Sequence, residues 1–265
     1  YAGSAQYGGV LTVCGDDHGA RSSTTAHQSD HALIHFGMPI LNPATIQEYL
    51  DFGLYGFALS RYAGCWVGFK CVTDTVEGSA SVSVDPDRVQ INQPTDYSPP
   101  EHGLNIQTGF TPLLTEQLMV QRLTAAKAFV RANQLDRTVF AGGRKKLGIV
   151  CSGKSYLDVM DALSQLGIDD TAAQRLGLGL YKVAMVWPLE PEGMREFAAN
   201  CEQLLVVEEK RPVIEDQIAA LLYNLPAEQR PLITGKFDGT GRALLSDIGE
   251  LRPSPIALVI ADQLL

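Results

Sequence analysis

Apolar runs of strand length alternate with stretches of helical periodicity along most of the chain. The first run covers 8–14 and stops at a polar turn. The pattern then predicts a short helix over 27–36, a longer helix that ends at Gly64, and a second strand over 65–72. The longer helix is recognised by apolar residues at helical spacing, which are Ile46, Leu50, Leu54, Phe57 and Ala58. The order strand, helix, helix, strand suits a parallel sheet.

The pattern changes in the middle of the chain and becomes regular again after it. Residues 81–112 hold five prolines among polar residues without a sustained period, which indicates a connector. An apolar stripe predicts that a helix over 113–134 closes this connector. From 144 onward, four apolar runs alternate with three helical stretches, and the runs lie at 147–151, 181–187, 204–207 and 232–234. This alternation predicts a doubly wound sheet.

These patterns divide the chain into four parts. We expect an α/β domain or part of one over 1–80, and a connector with one helix over 81–143. A second α/β domain follows over 144–240, and residues 241–265 form a tail.

Composition narrows the class of protein. The chain has 21 Lys and Arg against 30 Asp and Glu, a formal net charge of −9. This balance argues against nucleic acid as a partner, because a protein that binds a phosphate backbone needs basic surface. The sequence shows neither a membrane span nor a signal peptide, and we expect a soluble, cytoplasmic protein that does not bind membranes.

The cysteines and histidines do not predict a metal site. Five scattered cysteines without a CxxC pair exclude an iron–sulfur centre or a structural zinc site built from this chain alone. His27, His31 and His35 would share one face of a helix and could ligate zinc. About two turns of helix separate the first from the last, and no fourth ligand is near. We therefore expect surface or subunit-contact histidines.

Residues 148–155 satisfy the phosphate-binding pattern GxxxxGK[ST]. The context argues against the motif, because residues 149–151 are themselves the predicted strand, and Ser152 and Gly153 would start a helix. We favour an ordinary strand-to-helix turn with at most a weak anion site. A nucleotide-binding protein that uses Lys154 and Ser155 stays open as an alternative.

A more informative segment follows the first strand. Asp16, Asp17 and His18 lie where a parallel strand ends, the edge at which open α/β sheets place their ligands. Arg21, Ser22 and Ser23 add a cation and two hydroxyls, which suit a carboxylate ligand. The alternative is a loop whose aspartates satisfy their own backbone.

Short motifs follow one another through the first 80 residues, namely GGV at 8–10, GDDH at 15–18, SSTTAHQS at 22–29, MPILNP at 38–43, QE at 47–48, YG at 55–56, ALSR at 58–61 and CWVGFK at 65–70. In this order they resemble the fused indolepyruvate ferredoxin oxidoreductase type of the 2-oxoacid:ferredoxin oxidoreductase family, within the thiamine-diphosphate superfamily. Residues 144–240 are similar to its transketolase C-terminal-like domain.

The resemblance implies an α/β fold in which 1–80 is the C-terminal part of a pyrimidine-binding-type domain with a parallel sheet. It implies that 144–240 is a transketolase C-terminal-like doubly wound domain, and that 241–265 leads toward a domain missing from the sequence. The chain would be an internal fragment.

The resemblance also implies an activity for the intact enzyme. Such enzymes decarboxylate a 2-oxo acid on thiamine diphosphate, capture the acyl group with coenzyme A, and pass electrons through iron–sulfur clusters to ferredoxin. The family's pyrimidine-binding glutamate motif, its diphosphate and magnesium domain and its cluster cysteines do not occur here, and neither Glu48 nor Glu77 matches that glutamate. We expect the fragment alone to bind none of these cofactors, to be inactive, and to associate with the missing domains and with further copies of itself.

The residues carried over from the family motif are expected near the cofactor or substrate pocket. They are Asp16, Asp17, His18, Arg21, Ser22 and Ser23, without individual or catalytic roles. Besides the nucleotide-binding alternative, a noncatalytic scaffold or subunit-contact module stays open.

Overall fold

The structure is a computed structural model in which residues 2–106, 111–140 and 143–265 are described. Residues 107–110 and 141–142 of the predicted connector lie outside the described residues. The chain forms two compact units. Unit 1 contains the chain up to Asp16, residues 28–135 and residues 185–190, and unit 2 contains residues 17–27, 136–184 and 191–265.

The elements of the described residues are, in chain order, β1 (Leu11–Asp16), α1 (Asp30–His35), β2 (Ile40–Leu41), α2 (Ile46–Ala63), β3 (Val67–Val72), α3 (Thr73–Val76), α4 (Pro112–Ala132), β4 (Arg137–Phe140), β5 (Lys145–Ser152), α5 (Gly153–Gln165), α6 (Asp170–Leu176), β6 (Leu178–Val183), β7 (Met185–Trp187), α7 (Pro191–Ala199), β8 (Cys201–Val207), α8 (Ile214–Leu222), a 3₁₀ turn (Ala227–Gln229), β9 (Leu232–Thr234) and α9 (Pro253–Leu264).

Unit 1 is built on a four-stranded sheet in the order β1-β3-β2-β7. β1, β3 and β2 are parallel, and β7 is antiparallel to β2. The crossover helix α2 begins where the Thr45 side chain accepts from the backbone N–H of Glu48, whose carboxylate in turn accepts from the N–H of Ala44. It ends at Gly64, whose φ of +68° suits glycine.

The apolar residues of α2 lie on two faces. Phe52, Leu59 and Ala63 are buried. Leu50, Leu54 and Phe57, whose spacing predicted the helix, are 48%, 59% and 41% exposed.

Unit 2 is built on a five-stranded sheet in the order β4-β6-β5-β8-β9, parallel except for β4. Side chains of the central strands, such as Ile149, Leu180 and Leu205, form its core together with α5 and α9. Ile256 and Ile260 of α9 are fully buried in this core. The predicted α/β class with parallel sheets is confirmed.

Two predicted elements need correction. Residues 181–187 form two strands of different sheets, because β6 ends at Val183 and β7 begins at Met185. The helix predicted over 27–36 begins only at Asp30, so His27 precedes it and α1 carries His31 and His35 alone. In the described part of the chain, no group of three or more His, Cys, Asp or Glu could hold a metal ion. Nor is any described helix long and apolar enough to cross a membrane.

Candidate functional site

The six predicted pocket residues are divided between the units. Asp16 ends β1 in unit 1, whereas residues 17–27 belong to unit 2. Asp16, Asp17 and His18 are only 1%, 4% and 3% exposed.

Asp16 belongs to a buried ion cluster of unit 1. The Lys70 ammonium, brought by β3, lies 3.2 Å from Asp16 Oδ2 and 2.6 Å from Asp30 Oδ2. Ser29 adds hydrogen bonds from its backbone N–H and its hydroxyl to the Asp16 carboxylate. Lys70 is 4% exposed and Asp30 1%.

The charges of this cluster support one another. Burial by itself raises the pKa of the Asp30 carboxyl, but the Lys70 ammonium and the hydrogen bonds to this carboxyl together outweigh burial, and the pKa is lowered. Burial likewise lowers the pKa of Lys70, and the carboxylates of Asp30 and Asp16 more than reverse that effect. Lys70 and Asp30 are therefore both charged, and the contacts of Lys70 and Ser29 with Asp16 fix the carboxyl end of β1.

Asp17 organises the loop that follows. Its carboxylate accepts hydrogen bonds from the backbone N–H groups of Arg21, Ser22 and Ser23, at 2.9, 2.8 and 2.9 Å. These bonds, that from Ser22 foremost, lower the pKa of the Asp17 carboxyl. This geometry is the self-satisfying aspartate loop of the alternative interpretation, and it also presents the side chains of Arg21 and Ser22 at the surface.

His18 belongs to a buried charge cluster of unit 2. Its Nδ1 lies 4.0 Å from Glu209 Oε2, directly after β8. The other oxygen of Glu209 lies 3.1 Å from Lys154 Nζ, which is 2.6 Å from Asp158 Oδ2 and donates to the carbonyl of Leu251. Burial lowers the pKa of Lys154, but Glu209 and Asp158 outweigh it and the pKa is raised.

Arg21 is the accessible cation of the loop, with a side chain 40% exposed. Its guanidinium lies 3.0 Å from the Glu250 carboxylate, which Arg252 also contacts at 2.5 Å. The Ser23 hydroxyl donates to the carbonyl of Thr25. The loop therefore exposes one guanidinium and the Ser22 hydroxyl, groups that can bind a carboxylate.

Glu208, next to Glu209, caps helix α8. Its carboxylate accepts from the N–H groups of Val213, Ile214 and Glu215 at 2.9–3.0 Å. Burial raises the pKa of Glu208 to about 7, although these three bonds favour the charged form.

Sequence reasoning missed the partners of the predicted residues. One partner could have been found from the sequence. Lys70 lies inside a predicted buried strand, and a buried lysine needs a carboxylate beside it. The contacts of Glu209 with His18 and Lys154 join segments far apart in the sequence, so no local pattern could have indicated them.

Residues 137–265 match the model of the indolepyruvate oxidoreductase domain. Among curated proteins, the chain is 25% identical over 88% of its length to indolepyruvate oxidoreductase subunit IorA of Methanothermobacter thermautotrophicus. It is 26% identical over 92% of its length to the IorA subunit of Pyrococcus horikoshii. The chain spans 36% and 37% of these two relatives.

Solved structures show the same fold at low sequence identity. The 2-oxoglutarate:ferredoxin oxidoreductase from Magnetococcus marinus has a TM-score of 0.59 at 14% identity, with 96% of this chain and 48% of that chain covered. A split-gene transketolase has a TM-score of 0.52 at 15% identity, with 96% and 66% covered. The predicted family resemblance and the transketolase-like fold class are confirmed, and so is the relation to oxidoreductase subunits.

The phosphate-binding alternative finds no support in the part of the chain that matches the model of the indolepyruvate oxidoreductase domain. Gly148 lies inside β5, and Ser152 is the N-cap residue of α5, as the sequence context indicated. A Cβ on Gly148 would lie 2.5 Å from Cys201 Sγ, so this glycine is needed for core packing. Lys154 is neutralised by carboxylates of its own unit.

Proposed function

We propose that the chain is part of a thiamine-diphosphate-dependent 2-oxoacid:ferredoxin oxidoreductase that converts an indolepyruvate-like 2-oxo acid to an acyl-CoA. The observation that carries this proposal is the match of 88–92% of the chain to indolepyruvate oxidoreductase subunits. The boundaries 1–80, 81–143, 144–240 and 241–265 and a cytoplasmic location belong to the same proposal.

The described residues do not fit a thiamine-diphosphate site. Glu48 is engaged in capping α2, and Glu77 follows the four-residue helix α3 at the surface. Thiamine diphosphate, magnesium and iron–sulfur clusters would therefore be held by other parts of the intact enzyme, and no chemical step is assigned to this chain through them.

The contribution we propose for this chain is substrate binding at the loop after β1. Arg21 would pair with the carboxylate of the 2-oxo acid. The Ser22 hydroxyl, which donates to Asp17 Oδ2 at 3.4 Å in this structure, would turn to donate a hydrogen bond to the same carboxylate. When Arg21 turns to the substrate, Arg252 remains in contact with Glu250, so that carboxylate keeps a partner. Asp17 would hold the loop in the conformation that presents both groups.

Coenzyme A, ferredoxin and further domains are the proposed partners of the intact enzyme, together with a second copy of the chain. The solved oxoglutarate enzyme has 2-oxoglutarate, coenzyme A and succinyl-CoA bound. The split-gene transketolase of similar fold is an inactive β4 tetramer, which supports self-association of a chain of this kind.

The test is reduction of ferredoxin that depends on a 2-oxo acid and coenzyme A, measured on the holoenzyme that contains this chain. Simultaneous change of Asp17, Arg21 and Ser22 to Ala should lower turnover strongly while the holoenzyme still assembles. Full turnover of this triple variant would favour the scaffold alternative, and absence of the activity from the unaltered holoenzyme would overturn the proposed reaction.

A further inference from the structure

The Arg21 guanidinium already has a carboxylate partner in this structure. Its Nη2 lies 3.0 Å from Glu250 Oε2 and donates a hydrogen bond to it. A guanidinium binds the side-chain carboxylate of a protein and the carboxylate of a small acid through the same charge-assisted hydrogen bonds. Glu250 therefore offers Arg21 the chemical group that the proposed substrate would offer.

The loop after β1 and the segment around Glu250 belong to the same unit. Residues 17–27 and 191–265 are both parts of unit 2. Gly19 lets the Glu250 carboxylate approach the loop closely, because a Cβ at this position would lie 3.1 Å from Glu250 Oε2. The carboxylate thus lies against Gly19 as well as beside Arg21.

The backbone next to Glu250 is held at both of its polar groups. The N–H of Leu251 donates to the two oxygens of the Glu209 carboxylate, each at 3.2 Å. The carbonyl of Leu251 accepts from the Lys154 ammonium at 2.9 Å. Leu251 is 5% exposed, and Lys154 and Glu209 are themselves buried. Because this backbone is fixed, little conformational entropy is lost when Glu250 binds Arg21.

Arg252 also holds the Glu250 side chain in place. Its guanidinium lies 2.5 Å from the same Oε2 that contacts Arg21. The Glu250 side chain is 8% exposed, whereas the Arg21 side chain is 40% exposed. The carboxylate is therefore the fixed member of the pair, and Arg21 is the member that has room to turn away.

We propose that Glu250 is an internal competitor for Arg21, which occupies the guanidinium in the absence of substrate and thereby sets the affinity for the 2-oxo acid. This inference rests on the substrate role of Arg21 proposed above. The substrate carboxylate has to displace Glu250 before it pairs with Arg21. The apparent affinity is therefore lowered by the fraction of molecules in which Arg21 is occupied.

The displaced carboxylate keeps a cation. Arg252 stays in contact with Glu250 when Arg21 turns to the substrate. A largely buried carboxylate left without any partner would make the displacement strongly unfavourable. With Arg252 present, binding exchanges one ion pair of Arg21 for another.

The expected effect on affinity is modest, and its direction is diagnostic. Ion pairs at partly exposed side chains contribute little, because water and salt screen them, so removal of the Glu250 charge should lower KM about twofold to fivefold. A residue that only supports the fold of the loop would raise KM when it is altered. A competitor lowers KM.

The first experiment measures KM for the 2-oxo acid in the holoenzyme. Glu250→Gln keeps the size of the side chain and removes its charge, so KM should fall about twofold to fivefold while kcat stays within twofold. Glu202→Gln is the matched control, because the Glu202 carboxylate also pairs with an arginine, Arg144 at 3.1 Å, at the opposite end of β8 from Glu209. The control should leave KM unchanged.

The second experiment assigns the change to Arg21. In a holoenzyme that carries Arg21→Ala, the further change Glu250→Gln should not lower KM, because the competitor then has no guanidinium to occupy. The inhibition constant of the 2-hydroxy acid with the same carbon skeleton provides a measure of binding alone. It should fall with KM in Glu250→Gln and stay constant between Arg21→Ala and the double variant.

The outcomes separate this inference from the proposed function. An unchanged KM in Arg21→Ala would overturn the substrate role of Arg21 and the competition together. A raised KM in Arg21→Ala, combined with an unchanged or raised KM in Glu250→Gln, would overturn the competition alone. A fall in KM that persists in the double variant would do the same, since the charge of Glu250 would then act on the substrate without Arg21.

Discussion

The ammonium of Lys154 lies 2.6 Å from the carboxylate of Asp158, one helical turn further along α5. Lys154 is the lysine of the GxxxxGK[ST] pattern, and Glu209 and the carbonyl of Leu251 complete its surroundings. A phosphate-binding lysine has to meet a nucleotide, whereas this one meets two carboxylates of its own unit. In this protein the lysine of the pattern therefore stabilises the fold.

Lys154→Met should destabilise the protein and leave nucleotide affinity unchanged. Removing one member of a buried ion pair leaves the other charges uncompensated, which costs about 3–5 kcal/mol. Urea unfolding measures the loss, and calorimetric titration with ATP and magnesium should show no binding to either protein. Binding to the unaltered chain that disappears with the lysine would restore the nucleotide-binding alternative.

Gly148→Ala tests the first glycine of the same pattern. The added Cβ would lie 2.5 Å from Cys201 Sγ and 2.9 Å from the Phe197 ring. Such overpacking costs about 1–3 kcal/mol. Gly53→Ala is the control, because a Cβ there meets nothing within 4 Å. Equal unfolding free energies of Gly148→Ala and the unaltered chain would contradict the packing role.

Lys70→Met should destabilise unit 1. It leaves the carboxylates of Asp16 and Asp30 buried without their cation, at a cost of about 3–5 kcal/mol. Lys127→Met in α4 provides the control, since no ion pair of Lys127 is seen in the described residues. The prediction fails if both variants unfold at the same urea concentration.

Glu208 should make stability depend on pH in a particular direction. Its pKa is raised from 4.5 to about 7, so between these values the folded protein holds a proton that the unfolded chain has lost. The free energy of unfolding therefore falls as pH rises from about 4.5 to about 7, by up to about 3 kcal/mol.

Urea unfolding at several pH values checks this dependence. Glu208→Gln should remove the part of the pH-dependent fall in unfolding free energy that Glu208 causes. Glu202→Gln in β8, the strand just before Glu208, should keep that fall, because the Glu202 side chain is 53% exposed. An unchanged slope in Glu208→Gln would show that the capping hydrogen bonds keep Glu208 ionised throughout.

Much of the fold follows from local pattern. β9 occupies the predicted residues 232–234. α2 ends at the predicted Gly64, whose φ of +68° is the left-handed backbone conformation that favours glycine. The change of sheet at Ala184 had no local signal, since residues 178–186 are all buried and show no alternation. The exposure of Leu54 could not be predicted either, because the spacing of apolar residues shows that a helix face is apolar and does not show what covers that face.

The candidate site was predictable only in part. The polar turn after β1 was found from its position at a strand end, as the α/β architecture requires. The burial of Asp16 and His18 depends on Lys70 and Glu209, which reach them through parallel pairing and long-range packing. Arg21 and Ser22 are the members of the predicted set that the structure leaves at the surface.

The central claim is that Arg21 binds the carboxylate of a 2-oxo acid, and a comparison of two arginines tests it most directly. Arg21 and Arg252 contact the same oxygen of Glu250, but only Arg21 lies in the loop after β1. In the holoenzyme, Arg21→Ala should raise KM for the 2-oxo acid at least tenfold, because a hydrogen bond to a charged group contributes about 1.5–3 kcal/mol. Arg252→Ala should change KM less than twofold. Equal KM values in both variants and the unaltered enzyme would contradict the account.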